Sequence, residues 1–136
     1  MATLKISDLS VGDWVMVNER PRKIRVLADV WNGSNEVLVG YVAHVNPNGY
    51  NVVFYKPIEK VEPIPITAEI LEANGIHRTY EDDEYAIFRG DGLWAVKYSD
   101  GDWELSTPPV CRVDIKYIHQ LQHALRLVGV DKEINL

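Results

Sequence analysis

Two histidines on one predicted helix come nearest to the spacing of a metal site. His119 and His123 are four residues apart, so a helix would present both imidazoles on one side. No Glu follows the first histidine, as it does in His-Glu-x-x-His zinc sites, and two ligands do not complete a site. We therefore expect neither a metal nor another cofactor, and we place both histidines on the polar flank of the helix.

The cysteine is the other candidate for chemistry. Cys111 precedes Arg112, whose charge could favour a thiolate, but a lone cysteine in an apolar strand is typically a small buried residue. One cysteine also excludes an intramolecular disulfide. The sequence lacks a Gly-x-Ser-x-Gly elbow, a phosphate-binding loop and a dinucleotide fingerprint. We therefore expect no catalytic activity.

Four consecutive carboxylates form the most acidic stretch. The run Glu81-Asp82-Asp83-Glu84 repels itself and is typical of a solvated loop. Its functional alternatives are a weak site for a divalent cation, or a mimic of phosphate charge that would make the protein an acidic inhibitor of a host defence enzyme. Residues 67–136 carry the whole net charge of −6, with seven Lys and Arg against thirteen Asp and Glu.

Aromatic residues are a stronger indication of function. The chain has four Trp and seven Tyr, and several lie where strand alternation points them away from the apolar face. Rings on a small barrel can dock extended peptides or stack on bases, and they can also seal the join between two subdomains. The candidate binding residues are Trp14, Trp31, Tyr41, Tyr55 and Trp94.

A short basic cluster supports a different hypothesis. Arg20, Arg22, Lys23 and Arg25, with aromatic rings nearby, could contact nucleic acid. Such residues are also typical of the solvent side of a strand edge, where they discourage pairing with another chain. Because the chain is acidic overall, nucleic-acid binding is the second hypothesis, behind a protein partner or self-association.

The first half of the chain alternates with the period of a β-strand. Strands are predicted over 11–17, 24–30, 37–45 and 50–55, and a short fifth segment over 58–64, with Lys56-Pro57 ending the fourth strand. Five short strands in close succession can hide their edges by closing into a barrel. We therefore predict an SH3-like five-stranded β-barrel over residues 1–65, with an OB-type barrel as the alternative.

A helix, an antiparallel meander and a closing helix are predicted over residues 66–136. Thr67 is a good N-cap, and Asn74-Gly75 ends the first, short helix. Meander strands are predicted over 85–89, 93–98 and 103–106, with a brief edge strand over 110–113. Asp114 is the predicted cap of an amphipathic helix over 115–128 that packs on the meander. The fold class is therefore α+β, with the second part packed on the barrel.

Three segments of the chain resemble a known family. They are Ile6-Ser7-Asp8-Leu9-Ser10-Val11-Gly12-Asp13-Trp14-Val15, Val61-Glu62-Pro63-Ile64-Pro65-Ile66-Thr67-Ala68-Glu69-Ile70-Leu71-Glu72-Ala73-Asn74-Gly75 and Tyr117-Ile118-His119-Gln120-Leu121-Gln122. Together they resemble small uncharacterised proteins encoded by phages, prophages and mobile elements of gut bacteria. The resemblance implies an accessory protein in a bacterial cytoplasm, and it brings no activity or site residue.

The sequence favours a protein that does not enter a membrane. The N-terminus lacks a basic region followed by an apolar stretch, and the longest apolar run, over 37–45, is too short to span a bilayer. We expect a cytoplasmic protein. The leading hypothesis is a non-catalytic protein-interaction module.

Overall fold

The computed structural model describes residues 4–28, 37–107, 111–127 and 129–136. The chain divides between Ile64 and Pro65 into two compact units, here called unit 1 and unit 2. Each unit contains one antiparallel sheet, and the α-helices belong to unit 2, so the described residues form an α+β protein. None of the described helices combines the length and the apolar character needed to cross a membrane.

Unit 1 contains a four-stranded sheet in the order β1-β2-β3-β4. Its strands are β1 (Trp14–Val17), β2 (Arg20–Ala28), β3 (Leu38–Val45) and β4 (Asn51–Pro57). The pairing of β2 with β3 shifts between Ile24 and Val26, a β-bulge that leaves Arg25 at the irregularity. Alternation buries one face, because Val15 and Ile24 are fully buried and pack in one cluster with Tyr41.

The predicted fifth strand of unit 1 is wrong. A 3-10 turn over Ile58–Lys60 follows β4 directly, and the chain then meets β1 at an isolated bridge between Met16 and Glu62. Each of these two residues donates its N–H to the other's carbonyl, at 2.8 and 3.0 Å. Pro63 has no N–H to continue such a ladder. The described residues of unit 1 therefore form a four-stranded sheet, with one bridge from the segment after β4 back to β1.

β4 also extends further than predicted. It runs through Pro57, which pairs with Leu38 at the end of the strand. β4 lies at the edge of the sheet, where a proline is tolerated because the missing N–H removes no bond to a further strand.

Unit 2 begins with the short predicted helix. This helix, α1, spans Ala68–Ala73, and the Thr67 hydroxyl accepts a hydrogen bond from the Ile70 N–H at 3.2 Å, as expected of an N-cap. Asn74 ends the helix, and Gly75 takes a φ of +82°, which is the left-handed conformation that glycine adopts at helix ends.

A five-stranded meander follows, in the order β5-β6-β7-β8-β9. Its strands are β5 (His77–Glu81), β6 (Tyr85–Gly90), β7 (Leu93–Tyr98), β8 (Trp103–Thr107) and β9 (Cys111–Ile115). The sequence predicts β6, β7 and β8 close to these bounds, but it misses β5. All five residues of β5 are exposed, so the strand carries no apolar alternation to reveal it.

The closing helix, α2, spans Ile118–Leu127, three residues later than the predicted start. Ile115 belongs to β9, so Asp114 does not cap the helix. Instead, the Gln120 side-chain oxygen accepts the N–H groups of Lys116 and Tyr117, at 2.8 and 3.0 Å. A glutamine in the third helical position that bonds back to the N-cap is half of a capping box. The predicted apolar stripe is present, since the helix buries Ile118, Leu121 and Leu125.

Candidate functional site

One side of the five-stranded sheet is buried and the other is exposed. Ala86 and Phe88 of β6, and Leu93 and Ala95 of β7, are nearly or fully buried. The residues between them point the opposite way, because side chains alternate along a strand. We call the part of this opposite side that β5, β6 and β7 form the outer face. It carries Arg89 together with a set of aromatic and aliphatic side chains, which are Tyr80, Tyr85, Ile87, Trp94, Val96 and Tyr98.

The strand register brings these outer-face side chains together. Tyr85 lies directly opposite Tyr98, while Tyr80, Ile87 and Val96 form the next row across three strands. The rings of Tyr80 and Tyr85 lie 5.4 Å apart between centroids. Tyr80, Trp94 and Tyr98 remain 46%, 41% and 38% exposed. The outer face is therefore a continuous surface of aromatic and aliphatic side chains that water reaches.

Trp94 is the candidate binding residue that lies on this face. The Arg89 guanidinium lies 3.8 Å from the centre of the Trp94 ring, a cation–π contact. The two residues are register partners across a two-residue turn, in which Asp91 and Gly92 both have positive φ. Arg89 is missing from the sequence-based candidates, although the Asp-Gly turn signal would have paired it with Trp94.

Two acidic hairpin turns meet at one end of the outer face. The last residue of β5 and the β5–β6 turn together hold the predicted acidic run, and the β7–β8 turn adds two further aspartates. The Ser99 N–H donates to the Glu84 carbonyl at 2.9 Å, which links the two turns. We call their carboxylates the acidic rim: Glu81, Asp82, Asp83, Glu84, Asp100 and Asp102.

The Asp82 side chain stabilises the conformation of its own turn through hydrogen bonds. Its Oδ1 accepts the N–H groups of Glu84 and Tyr85, at 2.8 and 2.9 Å, and its Oδ2 accepts the Tyr80 hydroxyl at 2.8 Å. These donors favour the carboxylate and lower the pKa of Asp82, with the backbone N–H of Tyr85 contributing most. The same contact with Asp82 raises the pKa of Tyr80. Asp82 is therefore an anion at neutral pH.

A shallow cavity lies between the two acidic turns. It has a volume of about 380 Å³ and is lined by Tyr85, Tyr98 and Lys97 as well as by carboxylates. The lining carboxylates are Glu81, Asp82, Asp83, Glu84 and Asp100. Five negative groups against one ammonium make this end of the sheet anionic.

The candidate aromatic residues of unit 1 occupy three different settings. Tyr41 is 5% exposed and belongs to the core, so it offers no ring face to a partner. Tyr55 is 41% exposed, and its ring packs over Gly40. Trp14 is partly exposed, and the Lys23 ammonium lies 5.8 Å from its ring centre. Trp31 lies outside the described residues.

The basic cluster does not share one face of its strand. Arg22 is the register partner of buried Val15, and its guanidinium donates to the Ala43 carbonyl at 3.3 Å. Lys23 is paired with Trp14, so it points to the opposite side of β2. Arg25 lies at the bulge, and Arg20 lies at the start of the strand.

The two histidines of α2 are packed against other rings. The ring centre of His119 lies 5.9 Å from that of Tyr117, nearly parallel to it, and 5.9 Å from that of His123. His119 is 4% exposed and belongs to the buried side of α2 with Ile118, so its predicted place on a polar flank is wrong. Within the ranges that the structure describes, no group of three or more His, Cys, Asp or Glu could hold a metal ion.

No protein-family model matches this chain, and no curated protein matches it.

Proposed function

We propose that the chain is a non-catalytic protein-interaction module that docks through the outer face of unit 2. The observation that carries the proposal is the exposure of Tyr80, Trp94 and Tyr98 on one side of a sheet whose other side is buried. A connected set of exposed aromatic side chains is typical of a protein-binding surface, because large rings supply buried area at low entropic cost. A protein partner or a second copy of the chain would cover them.

For unit 1 we propose an SH3-like barrel that closes through one contact. A small barrel hides its edges when its last segment returns to its first strand. The bridge between Glu62 and Met16 supports this closure, since it follows a 3-10 turn at the end of β4. The bulge at Arg25 supports it further, because bulges let a long strand bend round a barrel.

The biological setting that we propose is an accessory protein of a phage or mobile element, acting in a bacterial cytoplasm. The support for it is the resemblance carried by segments 6–15, 61–75 and 117–122. Binding without catalysis suits such a protein, because an accessory factor can act by occupying a surface of a host or phage protein.

Nucleic-acid binding through the basic cluster is less well supported. Arg22 and Lys23 point to opposite sides of β2, whereas a duplex would need several cations on one face. The net charge of −6 adds long-range repulsion from phosphates.

The proposed function is tested by quantitative affinity capture from bacterial host cells. Trp94→Ala and Tyr98→Ala each remove an exposed ring and should weaken capture of a specific partner by about 10- to 100-fold, the usual range for an aromatic anchor. Tyr50→Ala is the matched control, because Tyr50 is 72% exposed but lies in unit 1. Circular dichroism checks that all three variants fold. Capture that the three substitutions leave equally intact would overturn the proposal.

A further inference from the structure

The outer face carries charges of opposite sign at its two ends. At the end that carries the β6–β7 turn, the Arg89 guanidinium lies over the Trp94 ring. At the opposite end, where the two acidic turns lie, Tyr85 and Tyr98 adjoin the acidic rim. We infer that the partner is a protein segment bearing lysine or arginine side chains. These side chains bind where Tyr85 and Tyr98 meet the acidic rim, and the inference rests on the proposed function.

Charge complementarity is the first support. The cavity at this end has five carboxylates against the ammonium of Lys97. One of the five, Glu81, is neutralised by Arg78 at 2.7 Å, which leaves an excess of negative charge. Such a surface attracts cations and repels nucleic acid or an acidic partner.

The second support is the availability of particular carboxylates. Asp82 already accepts bonds from its own turn at both oxygens. Among the described contacts, no hydrogen bond or ion pair engages the side chains of Asp83 and Glu84, and both are exposed. Their four oxygens can accept a guanidinium fork or an ammonium.

The third support is the chemistry of the rings. A guanidinium or ammonium over a tyrosine or tryptophan ring gains cation–π energy, and an adjacent carboxylate adds to it. The contact between Arg89 and Trp94 is an example on the same face, within the chain. Tyr85 and Tyr98 present rings of the same kind beside the rim. A cationic side chain from a partner would meet a ring and a carboxylate together.

A binding assay with a defined probe tests this inference. The probe is a fluorescent peptide of alternating arginine and glycine. The control peptide has glutamate in place of each arginine. We expect the arginine peptide to bind the full chain in low salt, and the glutamate peptide not to bind. The double variant Asp83→Lys with Glu84→Lys should weaken arginine-peptide binding by about tenfold or more, since it reverses two exposed charges at the site.

A matched variant separates local from overall charge. Glu72→Lys with Asp131→Lys makes the same change in net charge at exposed positions away from the rim, and it should weaken binding much less. Equal weakening by the two double variants would overturn the inference, and so would binding of the glutamate peptide. If the rim variant leaves partner capture intact while Trp94→Ala abolishes it, the inference fails and the proposed function stands. If neither the rim variant nor Trp94→Ala affects partner capture, the inference and the proposed function both fail.

Discussion

Tyr80 and Asp82 are a hydrogen-bonded pair in which each side chain shifts the pKa of the other. The hydroxyl of Tyr80 donates to the Asp82 carboxylate, which raises the pKa of Tyr80 because a tyrosinate there would face a second negative charge. Asp82→Asn should return the pKa of Tyr80 towards its ordinary value. The measurement is an NMR titration of the Tyr80 ring, with Asp102→Asn as control. An unchanged titration in Asp82→Asn would show that the pair is not formed.

The same pair predicts how stability depends on pH. The pKa of Asp82 is lowered by folding, so the carboxylate adds stability above its unfolded pKa, and this stability is lost as the pH falls through the folded pKa. The pKa of Tyr80 is raised, so its contribution is present below its unfolded pKa and is lost as the pH rises through the folded pKa. The difference in unfolding free energy between the native chain and Asp82→Asn should therefore be largest near neutral pH. A difference independent of pH would contradict this.

At the scale of elements, Gly90 controls how closely β6 approaches the end of α1. A Cβ at this position would lie 2.3 Å from the Gly75 carbonyl oxygen and 3.0 Å from the Ile76 Cα, and backbone atoms cannot turn aside. Gly90→Ala should therefore lower the unfolding free energy by about 1–3 kcal/mol or more. Gly40→Ala is the comparison, because its nearest contact is the Tyr55 ring, which can move. Denaturant unfolding of both variants checks the prediction, and a smaller loss for Gly90→Ala would contradict it.

The elements that the sequence predicts are those with a local signal. Thr67 and Gly75 mark the ends of α1, and the Asp91-Gly92 turn fixes the register of β6 and β7. β5 is missed because every one of its residues is exposed, so its place in the sheet comes from pairing with β6. The fifth strand predicted for unit 1 is wrong for the opposite reason, since Val61 and Ile64 are buried although the segment forms a single bridge rather than a ladder.

Local signals also decide which parts of the candidate site could be predicted from the sequence. Alternation along β7 points Trp94 and Tyr98 away from buried Leu93, and the structure has them exposed. Tyr80 could not be added to them without knowing that β5 exists. The joining of the two acidic turns depends on a bond between Ser99 and Glu84, which are distant in sequence.

At the scale of the whole molecule, charge and aromatic exposure coincide in unit 2. Residues 67–136 hold the net charge of −6, and the acidic rim lies beside the outer face. Unit 1 also exposes aromatic rings, at Tyr50, Phe54 and Tyr55, but it carries as many basic as acidic residues, and the cations of its basic cluster lie on both sides of β2. We therefore propose unit 2 as the docking unit.

The most direct test of this assignment is site-specific photocrosslinking in host cells. A photoreactive phenylalanine analogue replaces Tyr98 on the outer face or, as control, Tyr50 in unit 1, and both positions are exposed. If the chain docks through the outer face, position 98 should give a discrete protein adduct and position 50 none. An adduct from position 50 alone, or no adduct from position 98, would contradict it.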